Sequence, residues 1–195
     1  MGVAAPLEES LISRMRGMDR WLRCEESGGK FEDCVRCRST LLEIDRPWLV
    51  NKDFHRGECV MEYAICQPCR DLTAADFPED SKAAVRKFLE AEIDWECRQQ
   101  EFALMRNEIE RFEKCVACRK DREDCEGFAI SALYDEEGTL VPGPLPLLIC
   151  SDCVRRMTAE LSEEGRAVWR LFVKRYFAGP PEGEFDISGG GFGIF

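Results

Sequence analysis

Cys34-Val35-Arg36-Cys37-Arg38 and Cys115-Val116-Ala117-Cys118-Arg119 are two copies of one phrase, set 81 residues apart. Each is answered downstream by a second Cys-x-x-Cys pair. Tyr63-Ala64-Ile65 leads into Cys66 and Cys69, and Leu147-Leu148-Ile149 into Cys150 and Cys153. The correspondence runs on, because Phe88-Leu89 follows Cys69 at the same distance as Phe172-Val173 follows Cys153. The chain is therefore an internal duplication. Two residues between a pair of cysteines let one tight turn present both sulfurs to a single ion, and two such turns complete a tetrahedron. The spacing predicts two structural zinc ions per chain, one on Cys34, Cys37, Cys66 and Cys69 and one on Cys115, Cys118, Cys150 and Cys153. Four sulfurs leave no position for a reactive water, so both sites are expected to be closed. A Cys-x-x-Cys pair can also do redox work, but that chemistry needs one pair in a βαβ setting, not four in matched sets. Sharing of ions between the first and third pairs is the other arrangement, and the completeness of each half argues against it.

Around the quartets the pattern reads as α+β. Residues 6–24 carry Leu7, Leu11, Met15, Met18 and Leu22 at helical spacing behind Pro6. Trp48-Leu49-Val50 and Cys59 to Ile65 read as two strands, with a turn over Asn51 to Gly57. A long helical pattern then runs from about Ser81 to Glu113, connecting the halves. In the second half, Phe128 to Tyr134 and Leu145 to Ile149 read as strands, and Ser162 as the cap of a final helix through Phe177. Three regions are expected: 1–90 with the N-terminal helix and first zinc module, 91–178 with the connecting helix and second module, and 179–195 as a flexible glycine-rich tail.

The order of knuckle, hairpin, second pair and helix resembles the treble-clef and zinc-ribbon-like four-cysteine modules, over about residues 34–89 and 115–177. The resemblance implies two tandem modules, each a β-hairpin plus a helix, with Cys66/Cys69 and Cys150/Cys153 on the first helical turns. The chain departs from the commoner knuckle in having Arg38 and Arg119 after the first pairs instead of glycine. These arginines are expected to offset the negative charge of the sites. The segment Glu62-Tyr63-Ala64-Ile65-Cys66 is similar to one in a group of uncharacterised bacterial proteins, a likeness that implies no activity.

Composition narrows the function classes. The formal charge is −11, from 27 Lys+Arg against 38 Asp+Glu, and no segment is clearly basic. Nucleic-acid binding needs a basic footprint that displaces counterions from phosphates, so that class is disfavoured. No apolar run is long enough for a membrane span, and residues 1–23 do not read as a signal peptide. Paired cysteines in such a chain point to a reducing, cytoplasmic compartment. The single histidine, His55, reads as a surface turn residue, and no catalytic residue is assigned. Cys24, Cys59, Cys97 and Cys125 are left over. Cys59 and Cys97 read as small apolar residues on apolar faces, and Cys125 as the best reactive thiol. The expectation is a non-enzymatic zinc protein that binds another protein, with Phe192, Ile194 and Phe195 as candidate docking residues on a glycine tether. A nucleic-acid-associated regulator and a redox- or zinc-responsive switch are the alternatives.

Overall fold

The computed structural model describes residues 21–104, 111–141 and 143–177. The expected N-terminal helix lies outside these residues except at its end, where Trp21 and Leu22 are helical. The tail over 179–195, with Phe192, Ile194 and Phe195, also lies outside them.

The first half folds as expected up to Val50, and then differs. Strand β1 runs through Trp48–His55 and pairs antiparallel with β2, Glu58–Cys66. The expected turn over Asn51–Gly57 shrinks to Arg56 and Gly57. Both have positive φ, 51° and 84°, the backbone that a two-residue hairpin of matching twist requires. Asn51, Lys52 and Asp53 are buried strand residues. The reason is topological. The sheet order is β2-β1-β3-β4, so β1 has a neighbour on each side and its polar residues are enclosed. Chain direction then reverses through α1, Gln67–Ala75, and α2, Glu79–Glu92.

The connecting segment is not one continuous helix. Buried Ile93 takes extended backbone, with φ −114° and ψ 118°, and ends α2. Asp94 then restarts the chain as α3, Trp95–Leu104, its Oδ1 accepting from Cys97 N at 2.8 Å. The second half supplies β3, Gly127–Tyr134, β4, Leu147–Cys150, α4, Ser151–Ala159, and α5, Glu163–Tyr176. Ser162 caps α5 as its sequence suggests, accepting from Gly165 N at 3.2 Å.

The duplicated halves meet about an approximate two-fold axis. Trp48 pairs with Cys66 as Phe128 pairs with Cys150, so both hairpins share one register. β1 and β3 are antiparallel partners, with Asn51 opposite Ser131 at the centre. There Ser131 Oγ donates to Asn51 Oδ1 at 2.6 Å. Aromatic stacks repeat on either side of this point: Trp48 with Tyr134 at 5.8 Å and Phe54 with Phe128 at 5.0 Å.

Helices α2 and α5 cross over. Val85 and Phe88 of α2 belong to the second half's core, with Phe128, Ile149 and Val154. Trp169 and Phe172 of α5 belong to the first half's core, with Leu49, Tyr63 and Ile65. Near their starts the two helices touch at Ser81, whose Oγ lies 2.8 Å from Ser162 Oγ. The matching position in α5 is Gly165, where a Cβ would come within 2.9 Å of Ser81 Cβ. Each half thus lends its long helix to the other, and burying those aromatic faces is the main gain.

Candidate metal centres

Each knuckle is built by the same backbone bonds. Cys34 N donates to Ser39 O at 3.0 Å and Arg38 N to Cys34 O at 2.9 Å; Cys115 N donates to Lys120 O at 2.8 Å and Arg119 N to Cys115 O at 3.0 Å. Closing such a loop needs one residue in the left-handed region. Arg38 at φ 61° and Arg119 at φ 63° take that place, which glycine fills without steric penalty. The knuckles are docked on the outer strands, Val35 N donating to Ala64 O and Val116 N to Leu148 O, both at 2.8 Å.

The second pairs enter from the sheet. Cys66 and Cys150 end β2 and β4 and are the N-caps of α1 and α4. Their backbone N–H groups donate to the sulfurs of Cys34 and Cys115, at 3.5 and 3.3 Å. Strand, turn and knuckle thus bring together all eight cysteines expected from the sequence. In each quartet the four sulfurs lie within 4.8 Å of one another. Only Cys37 and Cys118 are exposed in these groups; the other six are buried. Two clusters of four thiols at this separation could each hold a metal ion, and an all-sulfur donor set is compatible with zinc.

The protonation pattern says what such an ion would have to do. Burial acts to raise the Cys37 thiol, but hydrogen bonds from Ser39 and from neighbouring cysteines bring it down to about 7. Burial pushes Cys66 up to about 11 and raises Cys69 further. In the second quartet, hydrogen bonds from Cys150 and Cys153 hold Cys115 well below the usual thiol value. Hydrogen bonding to Cys115 pushes Cys150 to about 12 and raises Cys153 as well. Burial and hydrogen bonding thus lower one thiol in each quartet, Cys37 and Cys115, and raise the Cys66/Cys69 and Cys150/Cys153 pairs. A divalent cation would ionise the rest, and its binding would release protons.

The arginines also have backbone and packing roles. Arg38 and Arg119 shape the knuckle backbone, while Arg36 ties the module behind its ligands. It donates to Thr73 Oγ1 at 2.5 Å, and Thr73 Oγ1 donates to Cys69 O at 2.8 Å. The remaining cysteines also divide. Cys97 is exposed, against the expectation of an apolar face. Cys24 and Cys59 both donate to the Glu62 carboxylate, at 3.2 and 3.9 Å, and burial pushes Cys59 up to about 12. Cys125 is half-buried and donates to Asp121 O at 3.2 Å; burial raises its thiol, against a pull downward from Lys120 and Cys150. His55 is exposed at the end of β1.

A polar cluster escaped the sequence reading. Lys52 is fully buried and pairs with Glu25 at 2.8 Å and Glu62 at 3.3 Å. The same Glu62 accepts from Glu25 N at 2.8 Å, stitching the chain before the first knuckle to β2. The signal was available in the repeat. Phe128 to Tyr134 reads as one long strand, so its counterpart should have been carried past Val50.

No protein-family model, curated protein or solved structure matches the chain. The likeness of Glu62–Cys66 to bacterial proteins therefore gains nothing from comparison. Among the described residues, no helix is long and apolar enough to cross a membrane.

Proposed function

We propose that the chain is a non-enzymatic, cytoplasmic zinc protein in which two tandem treble-clef-like modules form a scaffold for another protein. The observation that carries this reading is the pair of four-sulfur clusters, each set between a knuckle and a helix start. A tetrahedral ion on four thiolates has no open position, so its work is to hold the fold. The surface is then left for recognition, and the sequence adds an apolar Phe192, Ile194 and Phe195 beyond a glycine run. Metal analysis of the purified chain should give about two zinc ions per molecule. Co-purification from the native cell should yield a protein partner, and deleting Gly189–Phe195 should weaken its capture without lowering thermal stability. Absence of zinc, or of any retained partner, overturns the respective half of the proposal.

A second reading draws on Cys125. The first half has Ile44 where the second has this thiol, so only the second quartet has a fifth cysteine beside it. That asymmetry supports an oxidant-sensitive second site. Thiol counting and zinc release under mild peroxide would test it, with loss of zinc in wild type and protection in Cys125→Ala as the expected pair of results.

A further inference from the structure

Beside the start of β1, Trp48, Leu49, Ile65 and Leu133 form the apolar part of an open pocket of about 220 Å³, lined also by Gln67 and Arg70 from the first turn of α1. Arg70 is partly exposed, and its ion pair with the exposed carboxylate of its neighbour Asp71 is a long one, 3.7 Å. A cation beside an apolar hollow on so acidic a chain is a local exception.

The duplication provides an internal comparison. By strand register and cysteine spacing, the positions related to these by the two-fold repeat are Phe128, Ala129, Ile149, Asp53, Ser151 and Val154. There the apolar residues are buried just as Trp48, Leu49 and Ile65 are, and the difference lies on the helix. Val154, in the place of Arg70, is 0% exposed and packs with Phe128 and Ile149. Gly127 sits so tightly that a Cβ on it would lie 2.8 Å from Phe54 O and 3.6 Å from Ser151 Cβ. The fold therefore does not require a cation at this place. One repeat places a buried valine here, and the other a partly exposed guanidinium.

We propose that this pocket docks a partner protein, taking one bulky apolar side chain from an exposed segment whose adjacent residue offers a carboxylate to Arg70. The proposal rests on the scaffold reading above and gives it a surface. Size favours a protein anchor over a small ligand. Small-molecule sites enclose roughly 300–1,000 Å³, whereas this hollow suits a single side chain of the kind that dominates protein interfaces. Charge fixes the neighbour, because a guanidinium and a carboxylate form the stronger class of hydrogen bond.

The test uses the full-length, zinc-loaded protein and the tetrapeptide acetyl-Ala-Phe-Asp-Ala-amide, followed by ¹H–¹⁵N NMR. Saturable shifts are expected at the Trp48 indole and at the amides of Leu49, Ile65, Gln67, Arg70 and Leu133. Replacing the peptide's Asp by Asn, or the protein's Arg70 by Glu, should each weaken binding about tenfold, the scale of one charge-assisted contact. The Asn peptide leaves the protein unchanged, so its result stands even if Arg70→Glu disturbs folding. No saturable shift overturns the proposal, as does equal binding of the Asp and Asn peptides. If 3-phenylpropionate alone shifts the same signals as strongly, the site is one for small carboxylates and the protein-docking assignment is wrong. A co-purified partner that binds Arg70→Glu as tightly as wild type would leave the scaffold reading intact and remove the pocket from it. Peptide binding with no co-purified partner would do the reverse.

Discussion

Asp53 lies on a central strand, 4% exposed, and its Oδ2 has no hydrogen-bond partner among the described residues. Desolvation pushes its carboxyl from the ordinary 3.8 to about 8. The folded protein then holds a proton that the unfolded chain gives up above about pH 4. Stability from this group is full below that pH, falls as pH rises, and is lost by about pH 8. Asp53→Asn should therefore come closest to wild type below about pH 4 and gain on it by roughly 1–3 kcal/mol by pH 8.5; urea titrations at the two ends of this range would show it. A pH-independent difference would mean that Asp53 is ionised throughout. Lys52, its neighbour on the strand, is buried but paired. Removing one partner of a buried ion pair strands the other, so Lys52→Met should cost about 3 kcal/mol, read by denaturant unfolding.

At the scale of elements, the crossing of α2 and α5 is a point of close approach. Gly165→Ala would drive a methyl group into Ser81 and should destabilise by about 1–3 kcal/mol. The same change in a Ser81→Gly background should cost much less, a coupling that thermal melts of the four variants would measure. The knuckles make a contrary prediction. Relieving the left-handed arginine, Arg38→Gly should stabilise by about 1 kcal/mol; a loss of zinc affinity would instead give its guanidinium a part in the site. These elements also show what the sequence could disclose. The cysteine spacing, Ser162 cap and paired hairpins were legible because each is encoded within a few residues. The break at Ile93 and Asp94 was not, since helical spacing continues across it and only burial of Ile93 turns the backbone. Nor could local pattern reveal that β1 is enclosed, because its second neighbour, β3, begins about seventy residues later.

The whole molecule is held by one sheet and two exchanged helices, so the metal sites should not act separately. Phe88 fills the core behind the second quartet and Trp169 the core behind the first. Cys115→Ser should loosen residues of the first half as well as the second, and hydrogen exchange of the zinc-loaded variant should show both unprotected together. Independent loss of one half would mean that the zinc ions stabilise separate units. The compartment and the partner were beyond the sequence for a different reason, since neither is written in backbone geometry. The exchange of helices also bears on the order of synthesis. The first quartet is complete once Cys69 has left the ribosome, but Trp169 and Phe172, which close its core, follow about a hundred residues later. At ordinary elongation speeds that is about 5–20 s in which β1 lacks its second neighbour and an apolar face lies open. A metal ion captured early would be the one tertiary restraint the nascent first half could hold on its own during that interval.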